Sequence, residues 1–271
     1  MKRASSDVVD IDEKKAEREA WRAFDAINID VNQQRFSSVS LMKEDDGASW
    51  VTTTRLPPEL MPDAHQLAAL WLLKPSERST IRMAGKPVLV PRYNQSYGQA
   101  YTFSGTRHEA RVIPLLLQPY LDFANACCAT MLKRDYGGRR FNMIFVNWYE
   151  DGQHYIGWHS DDETQLYKNR YGETLVFSIS LGQQRRFLLK PRPPPKSSSS
   201  SSSSSSDGKQ TKRSKGPKPQ CFDLASGDCL VMGGLCQSHY KHSVPKVTSS
   251  NNNNKKHLMG GRINMTFRLF K

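Results

Sequence analysis

The sequence predicts an α+β protein, a β-sandwich or jelly roll with helices packed on one outer face. Three observations carry this. Apolar residues recur at three- and four-residue spacing up to Gly137-Gly138, then switch to alternation. The later apolar segments are short and separated by Gly, Pro and Asn turns. Helical segments come first and strands after, the order expected when helices cover one face of a sheet.

Each element follows in order. Residues 1–48 form an arm that mixes acids and bases and holds little core material. Asp10 to Ile29 reads as one charged helix, and the rest of the arm as disordered. The domain spans residues 49–271. Pro62 to Leu73 (PDAHQLAALWLL) reads as an amphipathic helix with a Pro-Asp start. Pro87 to Arg92 reads as a strand. Ile113 to Arg134 is the clearest helix, stopped by Gly137-Gly138. Strands are expected at Phe141 to Tyr149, Thr174 to Leu181, Arg186 to Lys190, Cys221 to Leu224, Asp228 to Met232 and Arg262 to Phe270. Two low-complexity inserts interrupt them. One covers about residues 191–219, with ten serines inside it, and the other about 248–257. The strands flanking the first must close a hairpin around it, which is tolerable because loop-closure cost grows only logarithmically.

Composition narrows the classes. The chain has 271 residues, a length that suits one domain plus polar extensions. It has no run of about 18 apolar residues, so no membrane helix is expected. The start, MKRASSDVVDIDEKKAE, lacks the apolar stretch of a secretory signal. The five cysteines show no zinc-like spacing, which suits free thiols in a reducing compartment. The net charge of +13 points to polyanionic partners. Residues 190–218 alone supply +7 of it, so the charge is concentrated in one tract rather than spread over a face.

The informative segment is NWYEDGQHYIGWHSDDE, residues 147–163. His159 and Asp161 stand two apart, so in a strand or at its end both point to the same side and can share a metal ion. A bare H-x-D is common in surface turns. A second, distant histidine would complete the two-histidine, one-carboxylate facial set of non-haem Fe(II) oxygenases. The candidates are His239, His242 and His257, of which His242 is the choice. His257 lies in a polar loop. In the last strand, Arg262, Asn264, Thr266 and Arg268 alternate with Ile263, Met265 and Phe267. An inward face with two arginines needs a buried carboxylate partner, which arginine binds in bidentate fashion.

The order N-x-Y (Asn147, Tyr149), H-x-D (His159, Asp161), His242 and R-x-N-x-T-F-R (Arg262 to Arg268) resembles the AlkB family of Fe(II)- and 2-oxoglutarate-dependent dioxygenases. The resemblance runs from about Pro87 to Phe270, outside the two inserts. It implies a double-stranded β-helix core. It also implies Fe(II) on His159, Asp161 and His242, 2-oxoglutarate held by Asn147, Tyr149, Arg262, Asn264 and Arg268, and O2 as co-substrate. Which arginine takes which carboxylate stays open. Val90-Pro91-Arg92, Tyr101 to Gly105 and the H-x-D-D-E run resemble the DNA alkylation-repair branch, which implies a base pocket of Arg92, Tyr101, Phe103, Asp162 and Glu163. There an aromatic ring stacks on a flipped base and the carboxylates read its exocyclic amine. The implied reaction removes methyl groups from 1-methyladenine or 3-methylcytosine and releases formaldehyde and succinate. The stretch Ile81 to Gly85 carries no aromatic finger, which leaves Met83 as the wedge and strand preference open. RNA is the alternative substrate, and a non-catalytic nucleic-acid-binding module the alternative class. The expected partner is alkylated DNA, the expected state a monomer, and the expected location the nucleus.

Overall fold

A computed structural model describes residues 36–40, 48–103, 106–193, 218–247 and 260–271. The expected helix over residues 10–29, the serine tract and the asparagine-rich loop with His257 lie outside the described residues.

An eight-stranded sheet forms the larger wall. Its first members are β1 (Ser37–Ser40) and β2 (Ser49–Arg55). After α1 (Ala64–Leu72) comes a hairpin of β3 (Thr80–Met83) and β4 (Lys86–Leu89). Then follow β5 (Tyr93–Tyr97), a second hairpin of β6 (Tyr101–Phe103) and β7 (Thr106–His108), and β8 (Ala110–Arg111). Helices α2 (Gln118–Cys127) and α3 (Ala129–Asp135) precede β9 (Met143–Tyr149) and β10 (Ile156–His159). The C-terminal half supplies β11 (Thr174–Gly182), β12 (Arg185–Pro191), β13 (Gln220–Leu224), β14 (Asp228–Gly234), the short helix α4 (Cys236–His239), β15 (Tyr240–Val244) and β16 (Arg262–Arg268). The large sheet runs β1-β2-β14-β11-β16-β9-β5-β8, and a four-stranded sheet runs β10-β15-β12-β13.

Alternation decides which side of each strand meets which layer. In β11, Phe177, Ile179 and Leu181 face the helices and join one core with Leu70, Tyr120 and Phe123. Val176 turns the other way, into a second core between the sheets with Phe187, Leu189 and Met232. In β16, Ile263, Met265 and Phe267 take the helix side. Each fully buried side chain of this kind contributes about 1.5–3 kcal/mol. The Trp148 indole N–H donates to the Leu70 carbonyl at 3.0 Å and ties β9 to α1. The helices do cover one outer face, and the two facing sheets make the double-stranded β-helix.

Local differences from the sequence reading have local causes. The single helix expected over Ile113 to Arg134 is a 3-10 turn at Leu115–Leu117, then α2 and α3, which meet at Cys128. Pro119 lacks an N–H, so it fits only the first turn of a helix and sets where α2 starts. The strand expected over Pro87 to Arg92 is one arm of a hairpin. Its turn places Ala84 (φ 47°) and Gly85 (φ 78°) in the left-handed region that tight hairpins require. Strands β12 and β13 pair from Arg185↔Leu224 to Leu189↔Gln220, closing the expected hairpin around the serine insert. No disulfide joins the five cysteines.

Candidate active site

Strand β10 is a short edge strand on β15, and their register sets His159 opposite His242. Asp161 follows two residues past the end of β10. The ring centroids of the two histidines lie 4.2 Å apart, and Asp161 Oδ1 stands 3.7 Å from His159 Nε2 and 3.9 Å from His242 Nε2. One ligand atom from each residue falls within 4.8 Å of the other two. A carbonyl only accepts, so the 2.9 Å contact between His159 Nδ1 and the Gly157 carbonyl puts the proton on Nδ1 and turns the Nε2 lone pair inward. Burial keeps both imidazoles neutral. It lowers His159 and, with His159 as neighbour, pushes His242 down to about 3. Phe187 stacks on the His242 ring at 5.3 Å and fixes its plane. His239 stands elsewhere, its Nδ1 3.2 Å from Ser49 Oγ.

Burial raises the cost of charge on Asp161, yet Arg268 outweighs it and holds the carboxyl below its usual range. Arg268 Nη2 sits 2.8 Å from Asp161 Oδ1, and Nη1 donates to Glu163 Oε1 at 3.0 Å. The Asp161 backbone N–H donates to Gln237 Oε1 at 2.9 Å. Arg262 differs. Its Nη2 donates to Ser180 Oγ at 2.9 Å, but Nε and Nη1 are buried without a partner. A buried guanidinium with open donors is costly, and a small dicarboxylate would satisfy it. The structure therefore separates the two arginines: Arg268 is engaged by Asp161 and Glu163, and Arg262 is open.

A cavity of about 450 Å³ lies between the sheets. The three ligand residues line it, as do Asn147, Tyr149, Arg262, Asn264 and Arg268. Arg92, Tyr101 and Glu163 line it too. Asn147 accepts from Arg92 Nε at 2.6 Å. Asn264 donates to Ser178 Oγ at 2.8 Å and to the Ile179 carbonyl at 2.9 Å, and accepts from Thr266. The Arg262 guanidinium lies 5.1 Å over the Tyr149 ring. Burial raises the Glu163 carboxyl, and its Oε2 is unpartnered. Asp162 stands apart from the cavity lining. It pairs with Arg192 at 2.5 Å, half-exposed. The backbones of Phe103 and Met83 end strands β6 and β3, and their side chains lie outside the described residues.

Several residues of the site went unread in the sequence. Ser178, which lines the cavity, and Ser180, which holds Arg262, sit in register with Thr266 and Asn264. Two serines at alternate positions of an otherwise apolar strand were the available signal. His108, Phe145 and Phe187 carried none, because nothing local distinguishes them from core or loop residues.

The facing sheets, the His-Asp-His ligand set and the open Arg262 define a mononuclear iron oxygenase site on a double-stranded β-helix. A sequence model of the 2OG-Fe(II) oxygenase superfamily matches residues 54–268. The chain is 34% identical over 204 residues to the DNA oxidative demethylase ALKBH2 of Arabidopsis thaliana, covering 72% of this chain and 58% of that protein. The human protein of the same name is 27% identical over 191 residues, covering 69% and 60%. The rat alpha-ketoglutarate-dependent dioxygenase alkB homolog 3 is 31% identical over 132 residues, covering 48% and 36%. The chain thus spans between 56% and 65% of the length of its ALKBH2 relatives. It belongs to the 2OG-Fe(II) oxygenase superfamily and, within it, to the AlkB family. Membership brings Fe(II) as the metal and 2-oxoglutarate with O2 as co-substrates.

Proposed function

We propose that the chain is an oxidative demethylase of N-alkylated bases in DNA. The carrying observation is one cavity that joins the His159, Asp161 and His242 ligand set, the open Arg262 guanidinium and a wall of Tyr101 and Glu163. The names of the relatives, DNA oxidative demethylases among them, support the same reading. In this reading His159, Asp161 and His242 hold Fe(II). Arg262 holds a carboxylate of 2-oxoglutarate, with Tyr149 and Asn264 shaping the space around it. Arg268 keeps Asp161 ionised and aimed, and Asn147 steadies Arg92. The bound iron with 2-oxoglutarate and O2 supplies oxidation of the N-methyl carbon, which leaves as formaldehyde beside succinate. Tyr101 and Arg92 seat the base, Phe103 follows Tyr101 two residues on in β6, and Glu163 accepts from the base's amine. Exposed Val88 and Leu89 on the β3–β4 hairpin line the cavity and supply apolar contact for the flanking strand. The basic charge and a DNA substrate support a nuclear location, and the chain acts as a monomer.

Formaldehyde release tests this. Purified protein is mixed with Fe(II), 2-oxoglutarate, ascorbate and oligonucleotides carrying 1-methyladenine or 3-methylcytosine, as single- and double-stranded DNA and as RNA. Release from DNA that needs 2-oxoglutarate and disappears in Asp161→Ala is the expected result. Succinate formation without release from any DNA lesion would overturn the substrate, and the RNA arm would then name the replacement.

A further inference from the structure

The β6–β7 hairpin places His108 directly across from Tyr101. The two rings stack, with centroids 4.8 Å apart and planes 16° from parallel. Tyr101 in turn meets the edge of Phe145 at 5.2 Å. Three rings thus form one wall of the cavity that contains His159, Asp161 and His242. The chemistry described so far gives His108 no part. Its Nε2 is buried and has no hydrogen-bond partner, a costly state for a polar atom unless a ligand completes it. Burial, and then Arg92, hold the ring below the usual histidine range, so it is neutral near pH 7 and offers one lone pair.

A second atom makes the pattern specific. Glu163 Oε2, on another residue of the same cavity, is also a buried acceptor without a donor. The exocyclic amine of adenine or cytosine carries two N–H groups and needs two acceptors. A base carbonyl, by contrast, would look for donors, and Arg92 is the cation beside this wall.

We propose that His108 is a specificity-determining residue: its ring extends the Tyr101 stacking wall, and its Nε2 accepts one N–H of the exocyclic amine of the alkylated base. The proposal rests on the demethylase reading and deepens it. With the proton on Nδ1, a neutral imidazole attracts an amine and tolerates the positive charge of 1-methyladenine or 3-methylcytosine. It offers nothing to 3-methylthymine, which carries a carbonyl at the corresponding position.

The test compares wild type, His108→Phe and His108→Gln on matched single-stranded oligonucleotides bearing 1-methyladenine, 3-methylcytosine or 3-methylthymine. Phe keeps a ring and removes the acceptor, and Gln restores an acceptor without the ring. Loss of one hydrogen bond in His108→Phe should raise KM for the two amine lesions about three- to tenfold, with a smaller change in kcat. The KM for 3-methylthymine should stay within about twofold, and His108→Gln should recover part of the amine preference. Preference among lesions is a ratio within one preparation, so loss of folded protein cancels from it. An equal change on all three lesions, or none, would overturn the proposal and leave His108 as wall alone. Wild-type protein that forms succinate but releases formaldehyde from no lesion would overturn the demethylase reading, and His108's role with it.

Discussion

Arg262 and Arg268 share one face of one strand but meet different partners. Arg268 gives both terminal nitrogens to carboxylates and leaves only Nε open, whereas Arg262 keeps Nε and Nη1 open and meets no carboxylate among the described residues. Replacing Arg262 by Gln should therefore raise KM for 2-oxoglutarate by about tenfold to a hundredfold, the range for a charged hydrogen-bonding pair, while iron content stays that of wild type. A 2-oxoglutarate titration with parallel metal analysis checks this, and joint loss of metal would instead make Arg262 a support of the ligand set. The histidines give a pH prediction. The unfolded chain protonates His242 near 6.5, whereas the folded metal-free site refuses the proton until about 3. This contribution to stability is full above about pH 6.5 and is lost as pH falls through that window. Melting of the metal-free protein from about pH 8 to 5 should show the decline, with a smaller slope in His242→Gln. Equal slopes would mean that water reaches the ring. These residues were legible because a strand's two-residue period puts unlike chemistry on opposite faces, and R-x-N-x-T-F-R obeys it throughout. His108 was not legible. It sits in TRHEAR, which reads as a charged loop, and only the pairing with Tyr101 gives it meaning.

At the scale of elements, long segments with one clear period were readable and short ones were not. Strands β9, β11 and β16 are buried along nearly their whole length, and their apolar content announced them. Strand β2 reads SWVTTTR and β5 reads YNQSY, polar on the surface of the text, and their place comes from the neighbours β14 and β9. Helix α1 was readable from its start. Asp63 accepts from the Gln66 backbone N–H at 2.8 Å, and the Gln66 side chain accepts from the Asp63 N–H at 2.9 Å. Asp63→Ala should cost about 1 kcal/mol and lower Tm by roughly 2–4 °C in a thermal melt. No shift would mean that packing of Leu70 under Trp148 alone fixes this end of the domain.

For the whole molecule, the charge distribution matters more than its total. Residues 190–218 carry +7 of the net +13, on a hairpin of the smaller sheet, the sheet that also holds both histidine ligands. Removing residues 194–217 and joining the strands by a short turn should leave the fold and Tm as they are, because β12 and β13 are paired up to Leu189↔Gln220. Affinity for single-stranded DNA at low salt should fall. The plot of log affinity against log salt should flatten by about 0.7 for each phosphate that the tract no longer neutralises. An unchanged slope would mean that the tract does not touch the backbone.

The same hairpin has a practical side. Nature has already written a long foreign-looking passage, residues 192–219, between two strands that pair below it. A fluorophore cassette or an immobilisation tag written into that place should leave the cavity between the sheets as it is, so the protein could carry a label without disturbing the residues that line it.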